Sequence, residues 1–261
     1  MAAINHHCVP NFYLKKFKDL ALPEYKIWQY EKGRKPKPIP TVRATAIEHY
    51  NTVLLSATGS FDSDIVEAAL SRFETDAAVL FAKIELACFC SRDKGAFAKW
   101  MSIQMTRVPC FRDWILEGVR REYEMAVSPS YALAHVKDAY YASIRDLEWG
   151  FLEACQGSHF VTSDNPVHIC NAGLVYPLNP NLALVAGELG AEGLTQADTE
   201  LIDIVNVKTV EGAYKYVYAS ENLANLNAQV QQSLGLYNLA GLRGRSPAVT
   251  GPVPPSKPQS P

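Results

Sequence analysis

None of the six cysteines, Cys8, Cys88, Cys90, Cys110, Cys155 and Cys170, forms a CxxC pair, so neither a zinc ribbon nor a dithiol redox motif is written into the chain. Most lie within apolar patterns, where a free thiol behaves as a small hydrophobe, and disulfides are not needed. No apolar run approaches the roughly 20 residues of a membrane-spanning helix. The N-terminus lacks the basic region, apolar run and small-residue cleavage site of an export signal. The expectation is a cytoplasmic protein with no membrane partner. An excess of charge is missing too: the formal net charge is -2. No global field favours a polyanion, although a local basic patch, and with it nucleic acid as a partner, stays open. A P-loop, a GxSxG elbow, a Rossmann fingerprint and an HExxH helix are all absent, which closes the common routes to a named reaction.

What is present suits a sizeable core, with 48% hydrophobic residues in 261. From Asp62 to Cys90, Val66, Leu70, Phe73, Ala77, Leu80, Ile84 and Ala87 recur in steps of four and three, predicting a long helix. Asp62 is its expected cap, with Phe61 and Val66 as a hydrophobic staple. A second helix is predicted over 94–123, with Phe97, Trp100, Met101, Val108 and Phe111 inward and a kink at Pro109. A third is predicted over 131–155, with Tyr140, Ile144, Leu147 and Phe151 on one face.

Shorter elements surround these. Pro10 opens a short helix over 10–19, and Ile27–Tyr30 reads as a strand. The run KGRKPKPIP, Lys32 to Pro40, reads as a basic extended loop. After Gly157, short apolar runs at 160–162, 167–169, 174–176, 182–185 and 201–205 predict strands, and helical periodicity returns over 207–217 and 221–234. The resulting fold class is α+β, a predominantly helical core of three long helices with a small, mostly antiparallel sheet. One globular domain is expected over 1–242. The tail from Arg243 to Pro261 is rich in Pro, Ser and Gly, and is expected to be disordered.

Polar residues in apolar positions mark the candidate site. Gln104 and Arg107 fall on the inward side of the second helix, three residues apart, where each needs a partner. Glu67, Ser71 and Glu74 share a face of the first helix at i, i+4 and i+7. The two carboxylates either pair with surface lysine or arginine or contact site arginine or one elongated ligand, and in the second reading Arg107 is the expected partner of Glu67 or Glu74. In VTSDNPV, Val161 to Val167, a hairpin corner and a rigidly held site residue, Asp164 or Asn165, are equally good readings. His6 and His7 precede a helix N-terminus, which favours neutral imidazole. A zinc set of these histidines with Cys8, Cys88 and Cys90 matches no standard spacing.

NHHCVPNFYLKKF resembles the HHYVPxFYLxxF-type opening of the bacterial family of domains of unknown function numbered 4238. IWQY, MSIQMTRVP and FVTSDNPV followed by YPLNP agree with that family in the same order, over residues 4 to 220. Cys8 stands where the family usually shows an aromatic. The resemblance implies that His6, His7, Gln104, Arg107, Ser163, Asp164, Asn165 and Pro166 belong together, without implying a reaction.

Two functions follow. In the first, the protein is a hydrolase on a phosphorylated or nucleotide-like substrate. His6 or His7 is then base or metal ligand, Asp164 its orienting group, and Gln104, Arg107, Ser163, Asn165, Glu67 and Glu74 hold an anionic small molecule. A divalent metal is compatible with this reading, but no ligand set or cofactor is assigned. In the second, the same residues form a buried network in a non-catalytic ligand-binding or regulatory module.

Overall fold

The computed structural model describes residues 5–51, 53–55, 60–62, 64–114, 140–170, 173–187 and 193–234, with main chain alone at 53–55 and 60–62. The expected tail, the start of the third predicted helix and the side chains of the Asp62 cap and the Phe61 staple lie outside the described residues.

The fold is α+β, but the strands form a substantial part of it, which corrects the small sheet and the three-helix core expected from sequence. One sheet has five strands in the order β12-β7-β11-β10-β9: Gly193–Ala197, Trp149–Ala154, Leu182–Gly187, Gly173–Asn179 and His168–Cys170. A second has four in the order β3-β2-β13-β8: Lys37–Pro40, Lys26–Glu31, Tyr216–Ala219 and Thr162–Ser163. Two small antiparallel ribbons join β1 (Asn5–His7) to β4 (Ala46–Glu48), and β5 (Val53–Leu55) to β6 (Ser60–Asp62). All pairings in the two larger sheets are antiparallel except β12 with β7.

Both larger sheets are buried on two faces. Alternate residues of β10 and β11 divide between cores: Leu174, Tyr176, Leu184 and Ala186 join the main core, while Val175, Ala183 and Val185 pack with Ile202 and Val205 on the opposite side. The main core is completed by α1 (Asn11–Leu14) and two long helices, α3 (Asp64–Glu85) and α4 (Ser91–Arg107). In the four-stranded sheet, Ile27 and Tyr218 face that core, whereas Tyr30, Val217 and Ala219 meet Val210, Leu226 and Val230. The last three belong to α5 (Thr199–Gly212) and α6 (Ala224–Ser233). A short α2 covers Thr41–Ala44.

Burial on two faces explains the misreadings. A strand apolar on both sides loses the alternation that separates it from a helix. WGFLEA therefore falls within the predicted third helix by its pattern, although it forms β7 inside the five-stranded sheet; residues 140–145 are the described helical part of that segment. The run at 201–205 departs in the opposite direction: predicted as a strand, it lies in α5, whose start Asp198 caps by accepting the Leu201 N–H at 2.9 Å. Sheet formation also begins well before Gly157: β2 and β3 belong to the N-terminal part and pair with β13 of the C-terminal part.

The second predicted helix is broken, not kinked. Val108 is extended, at φ -81° and ψ 150°, because a residue preceding proline is pushed out of the α region. Helix resumes at Pro109, where its missing N–H costs nothing. The break leaves the Arg107 carbonyl free to accept the Tyr50 hydroxyl at 2.8 Å.

Candidate functional site

The segment His6–Pro10 is fixed from one side by Thr45. Its carbonyl accepts from the Cys8 N–H at 3.2 Å and the Cys8 thiol at 3.3 Å, and its hydroxyl donates to the Val9 carbonyl at 2.7 Å. Pairing of β1 with β4 sets His6 opposite Ile47 and His7 opposite Ala46. The side chains of the two histidines consequently leave the strand in opposite directions. His6 is fully buried, and its Nδ1 accepts the Asn51 N–H at 2.7 Å. The Asn51 amide donates onward to Glu67 Oε1 at 2.6 Å. His7 is half-buried and its Nε2 lies 2.9 Å from the Val42 carbonyl. A carbonyl only accepts, so the proton is on Nε2, and in the neutral ring Nδ1 carries the lone pair.

Arg107 is the hub. Its side chain is 1% exposed and donates through Nη1 to Glu74 Oε1 at 2.7 Å and through Nη2 to the His7 carbonyl. His7 and Cys8, between β1 and α1, are thereby both held by α4, since Gln104, one turn before Arg107, donates from Nε2 to the Cys8 carbonyl at 3.1 Å. Two buried atoms of this group have no hydrogen-bond partner among the described residues: Arg107 Nε and Gln104 Oε1. The Cys8 thiol between these groups is pushed up to about 12, first by burial and then by the Asp164 charge, against a lowering by Arg107. It is an inert thiol near neutral pH.

Asp164 occupies a different place. Its Oδ1 accepts the Tyr214 N–H at 2.8 Å, and its Oδ2 accepts those of Lys215 and Tyr216 at 2.8 and 3.0 Å. Its own N–H donates to the Tyr216 carbonyl at 3.0 Å. Burial raises its carboxyl to about 6 in spite of the amides that oppose it. The turn is completed by Asn165, whose N–H donates to Ser163 Oγ at 3.2 Å and whose side-chain amide donates to the Gly212 carbonyl at 2.9 Å. VTSDNPV is thus a corner that fastens β8 to the loop before β13 and to the end of α5.

Of the residues read from sequence, the structure brings His7, Arg107, Gln104 and Glu74 together, with His6, Asn51 and Glu67 alongside. Ser163, Asp164 and Asn165 form a second group, and neither Arg107 nor the His7 ring is a hydrogen-bond partner of the Asp164 carboxylate. Sequence reasoning missed His168. This residue is buried, its Nε2 is without a partner among the described residues, and burial followed by the nearby Lys208 charge lowers it to about 4. It packs directly on Gly212, where a Cβ would come within 2.3 Å of His168 Nδ1. The signal available was a polar residue inside the apolar run VHIC. Among the described residues no three His, Cys, Asp or Glu side chains converge as a metal-binding group, and no helix is long and apolar enough to cross a membrane.

Sheets enclosed between helices, with an arginine hub joining the N-terminal ribbon to the helix pair, define an α+β protein built around one buried polar joint. The chain belongs to the family described as Protein of unknown function (DUF4238), whose model matches residues 5–222. No curated protein matches the chain, and no solved structure does.

Proposed function

We propose that the protein is a ligand-binding or regulatory module whose binding position is the joint between β1 and α4. The observation that carries this reading is the pair of unpartnered atoms, Arg107 Nε and Gln104 Oε1. A buried polar group without a partner costs about 1–3 kcal/mol. A ligand with one acceptor and one donor satisfies both atoms. An oxyacid such as a phosphate monoester offers an oxygen to Nε and a P–OH to Oε1, which keeps an anionic small molecule or nucleotide as the expected ligand class. Glu74 is the natural door, because its side chain is 29% exposed while that of Arg107 is 1% exposed.

Hydrolysis of a phosphorylated or nucleotide-like substrate is the second reading, and the His7 ring favours it. The Val42 carbonyl fixes its tautomer, so a half-buried Nδ1 lone pair is left on a residue whose carbonyl Arg107 holds, available as a base. Asp164 has no part in orienting that ring and acts through the turn it fastens. Thermal-shift titration with inorganic phosphate, a nucleoside monophosphate and a sugar phosphate tests the first reading. A rise in Tm that disappears in Arg107→Lys is the expected result, and no rise with any of the three removes the ligand, leaving water at the joint. Turnover of bis(p-nitrophenyl) phosphate that is abolished in His7→Asn supports hydrolysis, and its absence in the wild type removes it.

A further inference from the structure

Between Lys15 and Arg43 the sequence holds nine lysines and arginines against three carboxylates, in a chain whose formal net charge is -2. The fold places these charges along the β2–β3 hairpin, with β3 at the edge of its sheet. Lys32, Arg34 and Lys35 stand exposed at the turn, Lys37 on the edge strand and Arg43 just past its end. At the opposite end of β2, the Lys15 and Lys18 ammonium groups lie over the Tyr25 ring, 5.1 and 4.8 Å from its centroid. Six residues of strand separate the two ends by roughly 20 Å. Among the described residues Lys15, Lys18, Lys26, Lys32, Lys35, Lys37 and Arg43 have no carboxylate partner, whereas Arg34 meets Glu31 at 3.2 Å.

The ring end is built rather than loose. Asp19 accepts the Ala21 N–H and the Trp28 indole N–H, each at 2.8 Å, and its own N–H donates to the Lys26 carbonyl. Glu24 and Tyr25 are both left-handed, at φ 65° and 49°. Consecutive non-glycine residues in that region carry a local cost. Here the fold holds them there, and Tyr25 stays 54% exposed and Leu20 85% exposed.

We infer that this edge is a binding surface for single-stranded nucleic acid, with Tyr25 as a stacking platform and the lysine row following the phosphates. An exposed aromatic ring beside cations, continued by a positive track, is the combination that single strands use without sequence preference. Pairing with another strand is disfavoured, because Pro38 and Pro40 lack the N–H groups an added strand needs. An anionic bilayer is the less suitable partner. Leu20, Tyr25 and Val42, the large apolar side chains this edge exposes among the described residues, lie at one end, and the charges at the hairpin turn lie about six strand residues away.

The test is fluorescence anisotropy of a labelled 12-nucleotide oligothymidylate with the full chain over a salt series. Binding at low salt that weakens steeply as salt rises is expected. Lys32→Gln/Lys35→Gln/Lys37→Gln should lose at least tenfold in affinity, and Tyr25→Ala about fivefold or more. All these positions are exposed, so circular dichroism of each variant should match the wild type. No binding at low salt, or equal binding by wild type and the triple variant, overturns the inference and leaves the lysines and prolines as protection of a sheet edge. Unchanged affinity in Tyr25→Ala overturns the single-strand assignment. Binding to phosphatidylserine vesicles without binding to the oligonucleotide overturns it in favour of a membrane surface.

Discussion

Asp164 and Arg107 are both buried ions from the same set of sequence motifs, yet the fold treats them differently. The carboxylate accepts three main-chain N–H groups and holds a corner shut. The guanidinium has two strong partners and keeps one nitrogen unpaired, beside an equally unpaired amide oxygen. A closed polar group of the first kind is a fastener. An incomplete one of the second kind leaves room for something else, and that difference separates the two halves of what the sequence presents as one constellation.

The largest expected effect falls on the closed group. Asp164→Ala removes the acceptor of three main-chain N–H groups at once and should cost about 4 kcal/mol in urea denaturation. A loss under about 1 kcal/mol would mean that the corner is not held by the carboxylate.

Titration sharpens the comparison further, because Asp164 and His168 oppose each other. The Asp164 carboxyl is raised to about 6, so its contribution is complete below its unfolded value of about 3.9 and is lost as pH rises through 6. His168 is lowered to about 4, so its contribution is complete above its unfolded value of about 6.5 and is lost as pH falls toward 4. Over pH 4 to 6 their slopes cancel. In Asp164→Asn, stability should therefore fall by about 3 kcal/mol relative to wild type as pH is lowered from 6.5 to 4, and in His168→Phe it should fall by a similar amount as pH is raised from 4 to 6. Parallel pH profiles for both variants and wild type would refute the pairing.

At the open group, Arg107→Lys keeps the charge but cannot reach Glu74 and the His7 carbonyl together. A loss of about 2 kcal/mol is expected from the missing charge-assisted bond. Wild-type stability in that variant would show that the fork is not needed. Gln104→Met is the smallest change, since it removes both the bond to Cys8 and the unpartnered oxygen. The two terms offset to within about 1 kcal/mol, and a larger loss measured by thermal unfolding would mean that Oε1 is already satisfied, by water or ligand.

Much of the helical part was readable in advance. Leu70, Ala77, Leu80 and Ile84 mark α3 through a regular stripe, and Gln104 and Arg107 stood out on α4 because polar groups interrupt its apolar side. Pairing of Arg107 with a glutamate of α3 followed from the shared faces of those helices. The sheets were harder, since β7 and β10 are apolar on both sides and their partners lie far away in sequence. The acceptors that complete the arginine hub were unreadable for another reason: the His7, Cys8 and Arg107 carbonyls are main-chain groups, identical in every residue, and only the fold selects them. His168 escaped because a single histidine in a strand carries no spacing to interpret.

The position of β13 has a consequence for synthesis. It is the neighbour of both β2 and β8, so the hairpin of residues 26–40 has no completed sheet until residue 219 has been made. At roughly 5–20 residues per second, the interval on the ribosome is about 10 to 40 s. Throughout that time Ile27 and Tyr30 lack the cover that Val217, Tyr218 and Ala219 later provide, and the strand that carries them is open to wrong partners. Pro38 and Pro40, together with the lysines of the same edge, guard the nascent hairpin on its other side for as long as that vacancy lasts.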